Sequence, residues 1–154
     1  MKNFIKSSLF IIVVFALCFT SCSKNDNTPT PTPPDNKTLL IANTWSIVKL
    51  AADDNKNGKL DDAEYKPLPV GTTYYYLTFT ADGTLISRMS DGNKISIISY
   101  SWELIDTRTI KLVNQASAKD TFLWHIKTLT ATQLNLEQYG ADNTINSGAQ
   151  CVAK

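Results

Sequence analysis

The stretch TYYYLTFTADGTLISRMS, residues 73–90, decides the fold. Tyr75, Leu77 and Phe79 alternate with neighbours of the opposite parity, so they share one face of an extended segment. Ala81-Asp82-Gly83-Thr84 then carries an Asp-Gly pair, which favours a tight hairpin turn, and a second extended segment follows it. The stretch therefore predicts an antiparallel hairpin whose Tyr75, Leu77 and Phe79 face lies in the core.

The segment after the hairpin continues as strand. Asp91-Gly92-Asn93 predicts a second turn into a strand over Lys94–Leu104. In this strand Ile95 and Ile97 have one parity, whereas Ile98 has the parity of the aromatic residues that follow it. We therefore expect a bulge or bend near Ile97 and Ile98, which would bring both sets to the same face.

The rest of the chain repeats this pattern on both sides. A short apolar run over Leu39–Ala42 predicts a single helical turn before the first strand. Further strands are expected over Ser46–Leu50, over Thr109–Val113, around Phe122, Trp124 and Ile126, around Leu134 and Leu136, and over Gln150–Ala153. The sequence thus predicts an all-β domain, an antiparallel up-and-down barrel of about eight strands, with a β-sandwich as the alternative. Full closure would remove exposed strand edges.

The N-terminus has the features of a targeting segment. Lys2 and Lys6 precede an apolar run over Leu9–Phe19, which is too short to span a bilayer core of about 30 Å. Phe19-Thr20-Ser21-Cys22 places small residues before a cysteine, as in a bacterial lipobox. We expect residues 1–21 to be a lipoprotein signal peptide and Cys22 to carry the lipid. An ordinary secretory signal and an uncleaved membrane helix are the alternatives.

Residues 22–38 are predicted to be a tether. Four prolines interleaved with threonine favour an extended polyproline conformation, and a polar, proline-rich spacer is typical of a chain held away from a membrane. The folded domain is then expected over residues 39–154.

The most specific chemical motif lies at residues 53–64, DDNKNGKLDDAE. It has the order of oxygen donors that a calcium loop requires, with Gly58 at the sharp turn. The predicted ligands are Asp53, Asn55, Asn57, the backbone carbonyl of Lys59, Asp61 through a water, and Glu64. The alternative is a solvated loop in which Asp61 and Glu64 form a capping box. Prolines after the loop forbid a long helix, so a structural calcium ion is expected, with a Kd on the order of 10⁻⁴ to 10⁻³ M.

Composition excludes several function classes. The chain has 154 residues and a net charge of +1, with no basic run, so we expect one domain and no nucleic-acid partner. His125, the only histidine, has the parity opposite to the predicted core and is expected to face solvent. Cys151 is expected to be an apolar filler, and a catalytic thiol is the alternative. No catalytic motif appears, and we predict that the protein is not an enzyme.

Several motifs together resemble the lipocalin-like lipoproteins of Bacteroidota. They are Thr44-Trp45 after an apolar turn, the hairpin Phe79 to Thr84, the strand Tyr100 to Leu104, and the ending Leu129 to Leu136. The resemblance covers about Leu39–Lys154. It implies an eight-stranded up-and-down barrel, open at one end, whose interior can hold a small apolar ligand, on an outer-membrane lipoprotein facing the periplasm or the cell surface. The residues expected to line or fill the interior are Trp45, Tyr75, Phe79, Tyr100, Trp102 and Trp124.

The sequence departs from the lipocalin pattern at one end of the barrel. Asn43 stands where the Gly of the Gly-x-Trp motif would be, and no arginine follows Arg108 to pack over the tryptophan. How this end is closed is therefore left open.

Two hypotheses of function follow. The first is a membrane-anchored module that binds a small apolar ligand. The second is an accessory protein of an outer-membrane complex, whose barrel is filled by its own side chains. An interior cavity above about 300 Å³ would favour the first hypothesis.

Overall fold

The computed structural model describes residues 35–117, 120–140 and 144–154. The elements are α1 (Asn36–Ile41), β1 (Thr44–Ala52), β2 (Lys66–Pro67), β3 (Tyr74–Phe79), β4 (Thr84–Ser90), β5 (Ile95–Leu104), β6 (Thr109–Asn114), β7 (Thr121–Leu129), β8 (Gln133–Tyr139) and β9 (Ile145–Ala153). A 3₁₀ turn over Asp62–Glu64 lies between β1 and β2. The predictions for residues 1–34 lie outside the described residues. In the part that is described, no helix is long and apolar enough to cross a membrane.

The strands form one closed antiparallel barrel. Each strand from β3 to β9 pairs with the next, β1 pairs with β3, and β1 also pairs with β9, which closes the ring. The two-residue strand β2 pairs with Lys49 and Leu50 of β1, on the side of β1 that faces away from β9. The eight strands β1 and β3–β9 therefore confirm the predicted up-and-down barrel and exclude the sandwich.

The hairpin that decides the fold is formed as predicted. Phe79 pairs with Leu85 across the turn, and the register runs without interruption to Tyr74 and Ser90. Leu77, Phe79 and Leu85 are buried, because inward-facing apolar residues alternate with outward-facing ones along both strands. The indole N–H of Trp102 donates to the carbonyl of Thr80 at 3.2 Å and holds the turn against the next strand.

The predicted bulge near Ile97 and Ile98 is wrong. The β4–β5 register is continuous from Thr84 and Ser101 to Ser90 and Ile95. Register shifts occur instead at Val48 of β1, at Lys127 of β7 and at Asn146 of β9, each of which is skipped in the pairing. The physical reason is that residues 95–99 extend beyond the first β5–β6 pair, Tyr100 with Asn114, so isoleucines of both parities remain exposed there.

One end of the barrel is closed by α1. Asp35 caps the helix, because its carboxylate accepts the backbone N–H of Thr38 at 2.8 Å. The helix therefore begins before the predicted helical turn at Leu39. Leu40 is fully buried, and its carbonyl accepts the indole N–H of Trp45 at 2.9 Å.

Asn43 has a role of its own at this closed end. Its side-chain amide donates to the carbonyl of Ala131 at 3.1 Å, which ties the α1–β1 connection to the turn between β7 and β8. This hydrogen bond and the Trp45–Leu40 bond hold the end that an arginine covers in the lipocalin pattern.

The half of the barrel next to α1 is filled by side chains. Its buried residues come from every strand of the barrel, and an edge-to-face contact joins Phe79 and Trp102 at 5.2 Å. They include Leu40, Trp45, Leu77, Phe79, Leu85, Trp102, Ile110, Leu112, Ile126, Leu134 and Cys151. This half leaves the opposite end of the barrel as the place for a cavity.

Candidate functional site

The interior of the barrel contains a cavity away from α1. Its volume is about 220 Å³, and residues of β1, β3, β7, β8 and β9 line it. Tyr75, Trp124 and Leu136 belong to its wall, and so do the small residues Gly148 and Ala149. The register shift in β1 between Ile47 and Lys49 places Leu50 next to Ala149 at this level.

Two hydrogen-bonded pairs of neutral polar side chains lie at the cavity. The hydroxyl of Ser87 donates to the phenol oxygen of Tyr75 at 3.4 Å. The indole N–H of Trp124 donates to the side-chain oxygen of Gln138 at 3.3 Å. None of the residues that line the cavity carries a formal charge. The site is therefore suited to an uncharged ligand that makes one or two hydrogen bonds.

Aromatic residues continue from the cavity towards the mouth of the barrel. Tyr100 and Phe122 pack edge to face, with 6.1 Å between their ring centroids. Burial raises the pKa of the Tyr100 phenol, and the neighbouring Tyr75 raises it further. Tyr100 therefore remains a neutral hydrogen-bonding group at physiological pH.

The six residues predicted to line or fill the interior are divided between the two halves. Tyr75 and Trp124 lie in the cavity wall, and Tyr100 lies beside it. Trp45, Phe79 and Trp102 lie in the filled half and touch no part of the cavity. The sequence interpretation missed Gln138, Ser147 and Ala149. The signal for Gln138 was present, since it has the inward parity of Leu134 and Leu136.

The loop at residues 53–64 is folded around its own side-chain oxygens. The Asp53 carboxylate accepts the backbone N–H of Asn57 at 3.0 Å and that of Gly58 at 2.9 Å. The Asn55 side chain also accepts the Asn57 N–H, at 2.9 Å. Gly58 has a φ of 75°, which a residue with a side chain rarely adopts. The first half of the loop therefore turns as tightly as the motif requires.

Glu64 closes the loop from its other end. Its side chain is only 7% exposed, and it accepts the backbone N–H of Asp61 at 2.9 Å and that of Asn55 at 3.4 Å. The first of these bonds is the one that Glu64 supplies to a capping box. Within the described residues, no three acidic, histidine or cysteine side chains form a metal-binding group. The loop has only three acids at the predicted ligand positions, and Asn55 and Asn57 supply the other side-chain oxygens.

The loop is anchored on the outer surface of the barrel. Leu60 and Tyr65 are buried against Ala51 and Ile145, in a cluster separate from the main core. Burial raises the pKa of the Tyr65 phenol. An added side-chain carbon on Gly148 would lie 2.5 Å from Leu60 and 2.9 Å from the Tyr65 hydroxyl, so a glycine is needed for this close approach.

His125 and Cys151, whose side chains could in principle serve as a general base and a nucleophile, are both held in structural contacts. Nδ1 of His125 lies 3.4 Å from the Thr109 hydroxyl, and its ring packs against Tyr139 at 4.4 Å. Cys151 is buried, and burial raises the pKa of its thiol to about 12. A thiol with this pKa is protonated at neutral pH and is not a nucleophile.

Solved structures with a similar fold include lipocalin-like proteins. A crystal structure of a lipocalin-like protein from Bacteroides uniformis ATCC 8492 matches with a TM-score of 0.51 and 10% identity, over 74% of this chain and 98% of that chain. The bovine lipocalin allergen Bos d 2 matches with a TM-score of 0.44 and 14% identity, over 77% and 75% of the two chains. A complex of bovine odorant binding protein with a selenium-containing odorant matches with a TM-score of 0.44 and 14% identity, over 81% of this chain and 76% of that chain.

Sequence comparison adds no relative. No protein-family model matches the chain, and a search of curated proteins gives no match. The resemblance drawn from the sequence is confirmed at the level of architecture. The chain has a lipocalin-like β-barrel fold.

Proposed function

We propose that the protein is a non-enzymatic binding module that holds one small, uncharged and largely apolar ligand in the open half of its barrel. The observation that carries the proposal is the cavity of about 220 Å³, whose lining has no charged side chain. Burial of apolar ligand surface there supplies the affinity, and the Tyr75–Ser87 and Trp124–Gln138 pairs orient the ligand.

The cavity volume limits the size of the ligand. At about 220 Å³ it is smaller than the cavity of about 300 Å³ that would by itself favour a binding module, and it lies below the range of about 300–1,000 Å³ that is usual for drug-sized ligands. The proposal therefore depends on the uncharged, largely apolar lining and is restricted to a small ligand. An apolar cavity of about 150 Å³ already accepts benzene. We therefore favour a molecule of one or two rings, or of similar size, over a long-chain lipid. The second hypothesis, an accessory protein that acts through its surface, has support from the half of the barrel next to α1, because that half is filled by the protein's own side chains and has no room for a ligand.

The ligand site is tested with 1-naphthol as the probe, in a calorimetric titration of the purified protein. We expect a Kd on the order of 10⁻⁵ to 10⁻⁴ M for a ligand of this size. The variant Ala149→Phe fills the cavity and is expected to weaken binding by at least about tenfold. Val152→Phe, on the outward face of the same strand, serves as the matched control. Equal binding to the wild type and to Ala149→Phe would place the probe outside the barrel and contradict the proposal.

We also propose that residues 53–64 hold a structural calcium ion. Asp53, Asn55, Asn57, the Lys59 carbonyl, Asp61 and Glu64 would hold it. Three observations support the proposal: the order of these residues, the tight turn at Gly58, and the approach of Glu64 to the first half of the loop. The bound ion would join the two ends of the loop, whose Leu60 and Tyr65 already pack on the barrel.

Calcium is expected to raise the melting temperature. With a Kd on the order of 10⁻⁴ to 10⁻³ M, addition of about 5 mM calcium stabilises the folded protein by about 1–2 kcal/mol, or by several degrees. Glu64→Gln keeps an acceptor for the Asp61 N–H but removes a charged ligand, and it should lose most of this shift. The control is Asp54→Asn, since the exposed Asp54 pairs with Lys66 and occupies no ligand position.

Two outcomes of this experiment contradict the calcium site. One is a melting temperature that is the same in calcium and in EDTA. The other is an equal calcium response in Glu64→Gln and in the wild type.

The proposed location is the outer membrane, with a lipid anchor at Cys22. The support is the signal-like segment over residues 1–21, the small residues before Cys22, and the proline-rich tether. The mass of the N-terminal peptide of the mature protein tests the anchor, since lipidation leaves Cys22 as its first residue with the added lipid.

A further inference from the structure

The hairpin formed by β4 and β5 extends beyond the end of the neighbouring strand β6. The β4–β5 pairing continues to Ser90 and Ile95, whereas the β5–β6 pairing stops at Tyr100 and Asn114. Among the described residues, none pairs with residues 95–98 of β5 on the side that faces β6. Within the described part of the chain, this stretch of β5 is therefore an open edge of an otherwise closed barrel. We call residues 95–98 the β5 edge.

Two hydrogen bonds establish which backbone groups point outward from the β5 edge. The N–H of Trp102 donates to the carbonyl of Gly83 at 2.7 Å, on the β4 side. The carbonyl of Ser99 accepts from the N–H of Gln115 at 3.0 Å, on the β6 side. Backbone groups of successive residues point to alternate sides of a strand, and the register here is regular. The N–H and C=O groups of Ile95 and Ile97 therefore face the open side.

Within residues 95–98 the β5 edge lacks the features that normally prevent strand pairing, and the nearest charge is that of Lys94, which precedes the edge. Natural edges are protected by charges, prolines, bulges or a covering segment. Between Ile95 and Trp102 there is no charged residue and no proline, and the β4–β5 register has no bulge. Ile95, Ile97 and Ile98 are 52%, 59% and 44% exposed. An apolar, regular edge with free donors and acceptors is a template for another strand.

We propose that the β5 edge pairs with the β5 edge of a second copy of this chain, in an antiparallel dimer. The two-fold axis passes between Ser96 of the two copies. In this register Ile95 lies opposite Ile97 of the second copy, and Ile97 lies opposite Ile95. All the free N–H and C=O groups of Ile95 and Ile97 are then satisfied across the interface.

We favour a second copy of the chain as the partner of the β5 edge, because the two edges are complementary to each other. A neutral edge favours a neutral strand, and the chain offers the same isoleucines on the same outward face of its own edge. A register centred on Ile97 is worse, because it places Ile95 opposite Ser99, whose carbonyl is already bonded to Gln115. A short edge buries less than the roughly 800 Å² per partner of a stable complex, so we expect a weak dimer with a Kd on the order of 10⁻⁴ M.

Site-specific crosslinking of the full chain in detergent tests the register. In the proposed dimer the two Ser96 residues form a non-hydrogen-bonded pair with Cα atoms about 4.5 Å apart, which a disulfide can bridge. Under mild oxidation Ser96→Cys is expected to give at least about fivefold more crosslinked dimer than Ser101→Cys. Ser101 lies on the same strand, but it pairs with Val113 of β6. The cysteines already present contribute equally to both variants.

A charge on the edge should abolish the dimer. Ile97→Lys, added to Ser96→Cys, is expected to reduce crosslinking to the level of Ser101→Cys. Ile105→Lys is the control, since Ile105 is as exposed as Ile95 but lies in the turn after β5. Equal crosslinking of Ser96→Cys and Ser101→Cys overturns the proposal. So does a wild-type chain that sediments as a monomer at about 1 mM, tenfold above the expected Kd.

Discussion

Replacing Trp45 by Ala is expected to cost about 3–5 kcal/mol of unfolding free energy. The side chain is fully buried in the filled half of the barrel, so the substitution leaves a large cavity. It also removes the N–H that the Leu40 carbonyl accepts at 2.9 Å, at the end of a short helix that has few other attachments. Small domains are stable by only about 5–15 kcal/mol, so the variant is expected to be marginal at 37 °C.

Urea denaturation of the two Trp45 variants separates the packing effect from the hydrogen bond. Trp45→Phe keeps most of the apolar volume but loses the indole N–H, and it should cost clearly less than Trp45→Ala. A loss below about 1 kcal/mol for Trp45→Ala would mean that α1 does not depend on this side chain.

Gly148→Ala is expected to destabilise the protein by about 1–3 kcal/mol, although Ala is normally tolerated in a strand. The added carbon would lie 2.5 Å from Leu60, 2.9 Å from the Tyr65 hydroxyl and 3.1 Å from the Leu136 carbonyl. The backbone carbonyl is held in the barrel, whereas Leu60 and Tyr65 belong to the loop side of the contact. The loop therefore gives way, and its packing on the barrel is lost.

A double-mutant cycle with Leu60→Ala measures this contact. Shortening Leu60 makes room for the new methyl group, so Gly148→Ala should cost less in the Leu60→Ala background than in the wild type. Both single variants and the double variant are compared by urea denaturation. Strictly additive effects would show that Leu60 does not resist the added carbon.

Much of the barrel could be predicted from alternation and turn chemistry. The Ala81–Thr84 turn and the inward parity of Tyr75, Leu77 and Phe79 fixed one hairpin, and similar patterns recurred along the chain. The β5 bulge was wrong, because parity arguments assume that every residue of a strand lies against the barrel. The isoleucines at residues 95–98 lie beyond the end of β6, where neither face is covered.

The candidate site was less predictable, because parity gives the face of a residue but not its height along the barrel axis. Trp45 and Tyr75 both point inward, yet only Tyr75 reaches the cavity. The position of a residue along the barrel axis depends on register shifts and on which end of the barrel α1 closes. Neither can be predicted from a simple sequence pattern. Polar residues at inward positions, such as Ser87 and Gln138, are the better sequence signal, since they are costly to place in a filled core.

The pairing of β1 with β9 has a consequence for how the chain folds. Trp45 of β1 pairs with Ala153 of β9, which is synthesised about 100 residues later. The barrel therefore cannot close until β9 has left the ribosome. Such a non-local closure slows folding and delays it until synthesis is nearly finished. Pairing of β9 with β1 therefore commits the chain to the folded state. Under the export proposed above, this late closure would leave the chain unfolded during its passage across the membrane.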